Sequence, residues 1–321
     1  MPAQRYLTPT TWDDALSALQ QPSALPASGG TDLVPLMRDG IIDPETLVDL
    51  RHLPRCRDIS IDADGNLRIG AAVTLDTLAR DPLVLAHAPA LALAAASVGS
   101  QPLREAGTLG GNLCQRVRCW YFRGDHPCLR RGGNVCSAEI GENQYHGIFR
   151  TGGCVVAHPS DCAVVLAAYE ATVDVQGPSG ARAIPMRDLL VPSSVRLDHE
   201  TSLGASEVVA AVVLPVESLG GQQVFIKQMQ RAAWDFALVS IAATRRIDGE
   251  VRLVLGGVAN VPWRVTDSIE EDVASGGLSD DDIETLAQRA LYDATPLSGN
   301  AYKIDIAAAL LRRAIARLSR A

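Results

Sequence analysis

Cysteine is concentrated in one stretch of this 321-residue chain, because six of its seven cysteines lie between positions 114 and 162. Thiols gathered in this way can form disulfides, bind zinc or hold an iron–sulfur cluster. The amino terminus, MPAQRYLTPTTWDD, lacks the apolar segment of an export signal. We therefore expect the chain to be made in a reducing compartment, where clustered cysteines bind metal or do redox work more often than they form disulfides.

The spacing of the thiols bears on which metal they could bind. The stretch RCWYFRGDHPCLRRGGNVC (118–136) contains three cysteines, and Cys154 follows it, which leaves eight, seven and seventeen residues between successive thiols. Zinc sites usually contain a close pair of cysteines separated by two to four residues. A [4Fe–4S] cluster requires only that four thiolates converge, and wide spacing permits that. The spacing favours iron–sulfur over zinc and leaves both open.

Two glycine-rich loops offer a second kind of chemistry. The first is ALPASGGTDLVPLM (24–37) and the second is REAGTLGGNLCQ (104–115). Neighbouring glycines let backbone N–H groups converge on an anion, and Thr31 and Thr108 add hydroxyl donors. Each loop alone could be an ordinary tight turn, and neither matches the dinucleotide or P-loop fingerprint. Together they could hold the two ends of a pyrophosphate.

A carboxylate follows these loops in the segment AHPSDCAVV (157–165). Asp161 falls at the start of a predicted helix, where it could hydrogen-bond a hydroxyl or a ring nitrogen. The alternative is an ordinary capping role beside Ser160.

The elements that position these residues are predicted from periodicity and turn signals. The first part reads as α/β, and polar residues 191–206 mark the predicted domain boundary. The last part reads as an antiparallel meander with helices, including a hairpin over 236–258 with a type I′ turn at Asp248-Gly249. Helices are predicted at 9–20, 81–99 (broken by Pro89), 278–292 and 303–319, with strands at 46–53, 66–75, 207–215 and 221–231, and helix, strand, strand and helix over 159–190.

Composition excludes two classes of protein. A net charge of −8 and a pI near 5.3 argue against a general nucleic-acid binder, which would need a basic face. The apolar runs, such as LALAAASVG (91–99), are too short to span a bilayer. We expect a soluble protein, cytoplasmic or exported to the periplasm together with a partner.

Four segments then carry a resemblance to a known family. In order, ASGGTDLVPLM, GTLGGNL, HPSD and VVAAVVLP…FIKQMQR…FALVSIAA resemble the FAD-binding subunit of the molybdenum hydroxylases, the family of xanthine dehydrogenase, aldehyde oxidase and carbon monoxide dehydrogenase. The resemblance covers essentially the whole chain. It implies an α+β protein. Residues 1–195 would form a two-subdomain FAD-binding domain of the PCMH type, with an insertion at about 114–156. Residues 205–321 would form an α+β domain of the carbon monoxide dehydrogenase flavoprotein type.

The resemblance also implies which residues contact FAD. The two glycine loops would bind its pyrophosphate and ribityl chain, and Asp161 its adenosine end or ribose. Val208 would place its backbone near the flavin and Lys227 would lie by the isoalloxazine. The full set is Pro26, Ala27, Ser28, Gly29, Gly30, Thr31, Asp32, Leu33, Gly107, Thr108, Gly110, Gly111, Asn112, Asp161, Val208 and Lys227.

The cysteines occupy an insertion that two members of the wider family share, 4-hydroxybenzoyl-CoA reductase and a bacterial three-subunit aldehyde oxidoreductase. The pattern R-x-R-C…P-C…C…C-x₃-H-P-S-D is most similar to the latter. The resemblance implies that Cys119, Cys128, Cys136 and Cys154 are ligands of a [4Fe–4S] cluster. The remaining cysteines, Cys56, Cys114 and Cys162, are expected to be buried apolar residues. The nearby histidines, His126, His146 and His158, are expected to form hydrogen bonds or be solvated.

The insertion is basic and aromatic. Its five arginines could raise the potential of a cluster or dock an acidic partner. Its aromatic residues could shield a cluster from water or merely pack the insertion. These residues are Arg116, Arg118, Arg123, Arg130 and Arg131, with Trp120, Tyr121 and Phe122.

The resemblance implies an electron-transfer role. The chain would be the FAD and [4Fe–4S] subunit of a molybdenum-dependent aldehyde oxidoreductase, an oxidoreductase assembled with a large molybdenum-cofactor subunit and a small [2Fe–2S] subunit. It would pass their electrons to an external acceptor, and none of its own residues would be catalytic toward the aldehyde. The alternatives are the flavin subunit of a 4-hydroxybenzoyl-CoA reductase or of a xanthine dehydrogenase-like enzyme, and a zinc-stabilised binding module without redox function.

Overall fold

The computed structural model describes residues 5–319. Its first sheet is a small parallel one with the strand order β1-β3-β2. The strands are β1 (Arg5–Leu7), β2 (Ala24–Ala27) and β3 (Thr46–Asp49), and the helices that connect them are α1 (Trp12–Leu19) and α2 (Leu33–Arg38). The Thr11 hydroxyl caps α1 by accepting from the Asp14 backbone N–H, as a threonine at that position predicts. The first glycine loop joins β2 to α2.

A five-stranded antiparallel sheet follows, with the order β4-β5-β8-β6-β7. Its strands are β4 (Ile59–Ile61), β5 (Leu67–Gly70), β6 (Thr172–Gly177), β7 (Gly180–Pro185) and β8 (Val208–Leu214). The helices of this part are α3 (Leu75–Arg80), α4 (Pro82–His87), α5 (Pro89–Ala96), α6 (Gln101–Ala106), α7 (Leu109–Leu113), α8 (Trp120–Arg123), α9 (Asp161–Ala168) and α10 (Met186–Leu189). The break expected at Pro89 separates α4 from α5. Helix α9 is buried almost all round, between α5 and the carboxyl-terminal sheet.

The domain boundary expected at 191–206 lies too early in the chain. Strand β8 follows that segment, yet it pairs with β5 and β6 and so completes the five-stranded sheet of the first domain. The polar, proline-containing segment is a surface connection within that domain. Proline, serine and polar composition mark a loop, whereas strand pairing decides which domain the next strand joins. The division between domains falls after Leu214.

The carboxyl-terminal domain contains a four-stranded antiparallel sheet, β12-β11-β10-β9, covered by helices. The strands are β9 (Gln222–Gln228), β10 (Val239–Arg245), β11 (Val251–Gly256) and β12 (Trp263–Arg264), and the helices are α11 (Asp267–Ser275), α12 (Asp280–Ala290) and α13 (Tyr302–Ser319). Ser279 and Asp282 form the expected capping box of α12. The expected type I′ turn is wrong, because only Gly249 has a positive φ and Asp248 does not.

The cysteine-containing insertion at about residues 114–156, called the cysteine segment, is not an independent module. Its later part packs into the carboxyl-terminal domain, where Ile148 and Phe149 join the hydrophobic core. The ring of Phe149 stacks on Trp263 with centroids 4.3 Å apart. Within residues 5–319, no helix is both long and apolar enough to cross a membrane.

Candidate functional site

The two glycine loops touch each other. A Cβ atom on Gly29 would overlap the backbone carbonyl of Ala106, at the end of α6. A Cβ atom on Gly107 would lie 2.8 Å from the Leu103 carbonyl oxygen and 3.3 Å from Thr31 Oγ1. Side chains at these two positions would therefore push the loops apart. This contact is the reason for glycine at positions 29 and 107.

Two joined cavities lie beside these loops. The first has a volume of about 290 Å³ and the second about 470 Å³. Arg118, Arg231, Asp235 and Phe236 line both, so the two cavities form one groove, which is called the flavin cavity below. Its size suits an organic cofactor.

Several of the residues expected at FAD line this groove. Six lie in the first cavity, namely Thr31, Asp32, Gly107, Thr108, Gly111 and Asn112, and Asp161 lies in the second. Pro26 and Ala27 end strand β2, and Leu33 begins α2. Gly30 has a φ of +70°, which favours glycine, and Gly110 packs against Ala71. These residues shape the loops without lining either cavity.

Val208 does not belong with them. It is 3% exposed and packs in a separate core cluster with Val48 and Cys56, and it lines neither part of the flavin cavity. Its position at the start of β8 places it in the interior of the first domain. The expected contact between the Val208 backbone and the flavin therefore stays a prediction.

Asp161 and Lys227 form a buried ion pair. Lys227 Nζ donates to Asp161 Oδ2 at 2.7 Å, and the two side chains are 4% and 5% exposed. Burial raises the pKa of the Asp161 carboxyl, and the nearby Lys227 ammonium opposes that rise. The resemblance assigned these residues to different parts of FAD. The two residues contact each other directly, and Asp161 is the one that lines the second cavity.

Asp32 joins the first glycine loop to the cysteine segment. Its carboxylate accepts hydrogen bonds from the Arg116 backbone N–H at 2.8 Å, from Arg118, and from Arg123 Nη2 at 2.7 Å. These residues flank Cys119. The Asp32 carboxylate is thus engaged by the cysteine segment. Contacts with a bound phosphate would fall to the backbone N–H and hydroxyl groups of the loop.

FAD fits this cavity on observations of the chain itself. The buried Ser28 Oγ atom in the first loop lacks a hydrogen-bond partner among the described residues. A buried hydroxyl without a partner costs free energy, and a phosphate oxygen would satisfy it. The glycine loops supply backbone approach, and the groove extends from them to the Asp161–Lys227 pair. These residues could hold the pyrophosphate at one end and an organic ring system at the other.

The four cysteines expected as metal ligands line one smaller cavity, called the cysteine cavity below. Its lining contains Cys119, Cys128, Cys136 and Cys154, and its volume is about 10 Å³. Cys128 and Cys136 are antiparallel bridge partners across a tight loop. Among residues 5–319, no group of three or more cysteine, histidine, aspartate or glutamate side chains is placed to hold a metal ion. The four thiols are therefore brought together, but not in the geometry of a finished site.

The sulfur atoms of this cavity are surrounded by N–H donors. Burial raises the pKa of the Cys119 thiol to about 11, against the opposing effect of hydrogen bonds from the Phe122 and Tyr121 backbone N–H groups. His146 Nε2 lies 3.2 Å from Cys119 Sγ, and Arg130 Nε donates to Cys154 Sγ at 3.1 Å. Donors of this kind stabilise thiolates that carry negative charge. In kind and number, the four cysteine thiols fit a [4Fe–4S] cluster, and they would also serve zinc.

The other cysteines lie apart from the cysteine cavity, as expected. Cys56 and Cys162 are 1% and 0% exposed and belong to hydrophobic cores, and Cys114 packs against the main core. Burial raises the pKa of the Cys56 thiol to about 11. These cysteines act as small apolar residues.

The basic residues of the segment are mostly neutralised inside the protein. Arg118 and Arg123 pair with Asp32, and Arg116 and Arg130 pair with Glu200, which is 2% exposed. An interpretation of these four arginines as a docking surface for an acidic partner is therefore wrong. The sequence shows the arginines but not their partners, which lie about 70 to 90 residues away along the chain.

Sequence reasoning missed one segment that lines the groove. The loop between β9 and β10 contributes Arg231, Trp234, Asp235 and Phe236 to the first cavity. Trp234 and Phe236 are 61% and 48% exposed, and Trp234 has a φ of +57°. Two aromatic residues two positions apart, in a chain with only 4% aromatic content, are the sequence signal that could have identified it.

Comparisons with known proteins identify the families of both domains. The family described as the FAD binding domain in molybdopterin dehydrogenase matches residues 2–217, and the family described as the CO dehydrogenase flavoprotein C-terminal domain matches residues 224–318. The aldehyde oxidoreductase FAD-binding subunit PaoB of Escherichia coli K12 is 35% identical over 98% of this chain and 96% of its own. A putative xanthine dehydrogenase FAD-binding subunit of the same organism is 27% identical over 91% of this chain and 87% of its own.

Solved structures share the fold. Quinoline 2-oxidoreductase from Pseudomonas putida 86 superposes with a TM-score of 0.77 at 23% identity, covering 99% of this chain and 98% of its own. Reconstituted CO dehydrogenase from Oligotropha carboxidovorans also gives 0.77, at 22% identity, with the same coverage. The matched families cover both domains, and their boundary agrees with the position of β8. The chain belongs to the FAD-binding medium subunits of the xanthine dehydrogenase family of molybdenum hydroxylases.

Proposed function

We propose that this chain holds FAD in the flavin cavity and a [4Fe–4S] cluster at Cys119, Cys128, Cys136 and Cys154. It would act as the electron-transfer subunit of a molybdenum-dependent aldehyde oxidoreductase. The observation that carries this proposal is a shared wall, because Cys119 and His146 line both the flavin cavity and the cysteine cavity. Redox groups held in the two cavities would be neighbours.

The residues of the chain would bind and orient these groups. The glycine loops and the unpartnered Ser28 hydroxyl would hold the pyrophosphate, and the Asp161–Lys227 pair would contact a more distant part of FAD. When bound, FAD supplies two-electron redox chemistry and the cluster supplies one-electron transfer. Phe122 is 1% exposed and packs against Cys128 and Cys154, so it would exclude water from the cluster.

The assembly and the substrate rest on the relatives. The E. coli relative is named as the subunit of an aldehyde oxidoreductase, which supports an aldehyde as the substrate class. A molybdenum-cofactor subunit would oxidise the aldehyde to a carboxylic acid with oxygen from water, releasing two electrons and two protons. A [2Fe–2S] subunit would relay the electrons to this chain, which would deliver them to an external acceptor.

Metal and flavin content of the co-expressed, purified complex test the cofactors. Per complex, we expect one FAD and, in addition to the iron of the [2Fe–2S] subunit, about four iron with four sulfides, with a [4Fe–4S] EPR signal after reduction that is distinct from the [2Fe–2S] signals. Each Cys→Ser variant at the four positions should lose that signal. The matched controls are Cys56→Ser and Cys162→Ser, which remove buried thiols outside the cysteine cavity and should keep it. One zinc, with no iron beyond that of the [2Fe–2S] subunit, would instead identify a zinc-stabilised subunit.

Substrate oxidation tests the reaction separately. The complex should reduce an artificial electron acceptor when supplied with aldehydes. Activity with xanthine but with no aldehyde would leave the cofactor proposal intact and replace the substrate class, as the xanthine dehydrogenase relative would then indicate. Reduction of 4-hydroxybenzoyl-CoA would reverse the direction of electron flow through the same groups.

A further inference from the structure

His146 occupies the wall between the two cavities. Its side chain lines both, it is 3% exposed, and its Nε2 atom lies 3.2 Å from Cys119 Sγ. Among the four cysteines of the cysteine cavity, Cys119 is the one that also lines the flavin cavity. The hydrogen bond between these two residues therefore lies at the side of the cysteine cavity that faces the flavin cavity.

The surroundings of His146 hold its ring in place. The ring meets Trp120 edge to face, with centroids 5.6 Å apart and an interplanar angle of 78°. The backbone N–H of His146 donates to the Asn143 carbonyl at 3.0 Å, and its own carbonyl accepts from Asn300 Nδ2 at 3.1 Å. Asn300 belongs to the carboxyl-terminal domain and is fully buried. The carboxyl-terminal domain thus fixes the position of the histidine relative to Cys119.

The protonation state of the Cys119 sulfur determines the direction of the hydrogen bond. A cysteine that binds iron is a thiolate and has no hydrogen to give. The Nε2 atom must then carry the hydrogen and donate it to Sγ, which makes Nδ1 the bare nitrogen. Consistent with this, Nδ1 is buried and lacks a partner among the described residues. A hydrogen bond to a ligating sulfur withdraws electron density and favours the reduced cluster.

We propose that His146 is a positioning residue that donates Nε2–H to the Cys119 thiolate and raises the reduction potential of the cluster. This inference rests on the proposed function, since it needs the cluster to be present. It adds a tuning device on the flavin side of the cluster, built from one residue of the cysteine segment and held by the other domain.

Arg130 makes the corresponding contact with Cys154 but gives a poorer test. Its Nη1 atom also bonds Glu200 at 3.2 Å, so its removal would leave a buried carboxylate unpaired. His146 has no such ion pair among the described contacts, so its substitution removes the hydrogen bond to sulfur without leaving a buried charge unpaired.

Two substitutions in the purified complex separate the hydrogen bond from the packing. His146→Phe keeps an aromatic ring against Trp120 and removes the donor. His146→Gln loses the ring but can place an N–H near the original Nε2 position. Redox titration monitored by EPR should give a more negative midpoint potential for H146F, with H146Q nearer to wild type. The control is His126→Gln, which changes an exposed histidine of the same segment that bonds none of the four sulfurs in the described structure, and it should leave the potential unchanged.

A measurement on the unsubstituted protein complements the variants. Protein labelled with ¹⁵N-histidine should show a weak ¹⁵N coupling in pulsed EPR of the reduced cluster, as expected for a hydrogen-bonded ring nitrogen. If H146F fails to assemble, this coupling together with a near wild-type potential in H146Q still supports the role. Absence of the coupling overturns it.

The outcomes distinguish the two levels of the proposal. A wild-type complex without iron beyond that of the [2Fe–2S] subunit rejects the cluster itself. A cluster that is present in H146F with an unchanged potential, or a potential in H146Q shifted as far as in H146F, rejects only the tuning role of His146.

Discussion

The flavin cavity and the cysteine cavity are neighbours, but the chain builds them by different means. The flavin cavity depends on the absence of side chains, because Gly29 and Gly107 allow two backbone segments to touch. The cysteine cavity depends on side chains, with four thiols and the donors His146 and Arg130. The first can be broken by adding one carbon atom, whereas the second needs the loss of a specific functional group.

The two cavities are also coupled through charge. Asp32, in the first glycine loop, binds Arg118 and Arg123 on either side of Cys119. Glu200 binds Arg116 and Arg130 of the same segment. The cysteine segment is therefore attached to the first glycine loop by ion pairs, and substitutions can test whether the cavities are lost together or one at a time.

The largest effect is expected at the buried ion pair of the flavin cavity. Lys227→Met leaves the Asp161 carboxyl buried without its partner, which should lower the free energy of unfolding by about 4 kcal/mol. Urea denaturation of the FAD-free and FAD-loaded proteins measures it. The double variant Asp161→Asn/Lys227→Met should recover part of the loss, because it removes both charges. A single variant as stable as wild type would mean that the pair is not buried in solution.

Gly29→Ala should act on the flavin cavity alone. Its added Cβ overlaps the Ala106 carbonyl, and overpacking of this kind costs about 3 kcal/mol. If the full cost appears as weaker cofactor binding, FAD affinity should drop roughly a hundredfold. The iron content of the complex should be unchanged. Gly204→Ala is the control, since its Cβ would meet only Glu207 side-chain atoms, at 3.4 Å or more, and Gly204 lines neither part of the flavin cavity. Equal losses in the two variants would contradict the role assigned to the loop contact.

Asp32→Asn tests the coupling between the cavities. The amide keeps the shape of the side chain but removes the charge that Arg118 and Arg123 share, at a cost of about 2 kcal/mol. We expect both FAD and iron to fall, in contrast to Gly29→Ala. Flavin and iron analysis of the same purified variant tests whether both contents fall. Loss of FAD with full iron would show that the cysteine segment holds its position without Asp32.

The contrast between the cavities also explains how far sequence reasoning reached. The glycine loops, the capping box at Ser279 and the gathering of four cysteines follow from local patterns, and the structure contains all three. The placement of β8 did not follow, because strand pairing across more than 100 residues is invisible to a local composition signal. The same reason hid the partners of the arginines, since Asp32 and Glu200 are adjacent to them only in the folded chain.

The pairing of Asp161 with Lys227 shows the same limit within the site. Both residues were expected at FAD, and Asp161 lines the groove with Lys227 bonded to it. Residue type and order along the chain could not reveal that they contact each other, because 66 positions separate them. Their contact becomes visible only in the folded structure.

The smallest expected effect concerns Lys303, which clamps the cysteine segment to the carboxyl-terminal domain. Lys303 is fully buried and donates to the carbonyls of Tyr145 at 3.0 Å and Gly257 at 2.8 Å. Burial lowers the pKa of its ammonium group to about 7. An exposed lysine in the unfolded chain has a pKa of about 10.4.

These two pKa values determine whether the free energy of unfolding rises or falls with pH. Between about pH 7 and pH 10, the unfolded chain carries a proton on Lys303 that the folded chain has released, so the free energy of unfolding should rise with pH. The contribution is about 1 kcal/mol per pH unit within that window. Buried thiols such as Cys56, whose pKa is raised, work in the opposite direction, but they are present in both proteins of a matched pair. Urea denaturation of wild type and Lys303→Met from pH 7 to pH 9.5 isolates the lysine, and the variant should show a smaller rise with pH. Parallel curves would mean that Lys303 keeps its proton in the fold, held by the two carbonyls, and that the clamp between the cysteine segment and the carboxyl-terminal domain is a charged one.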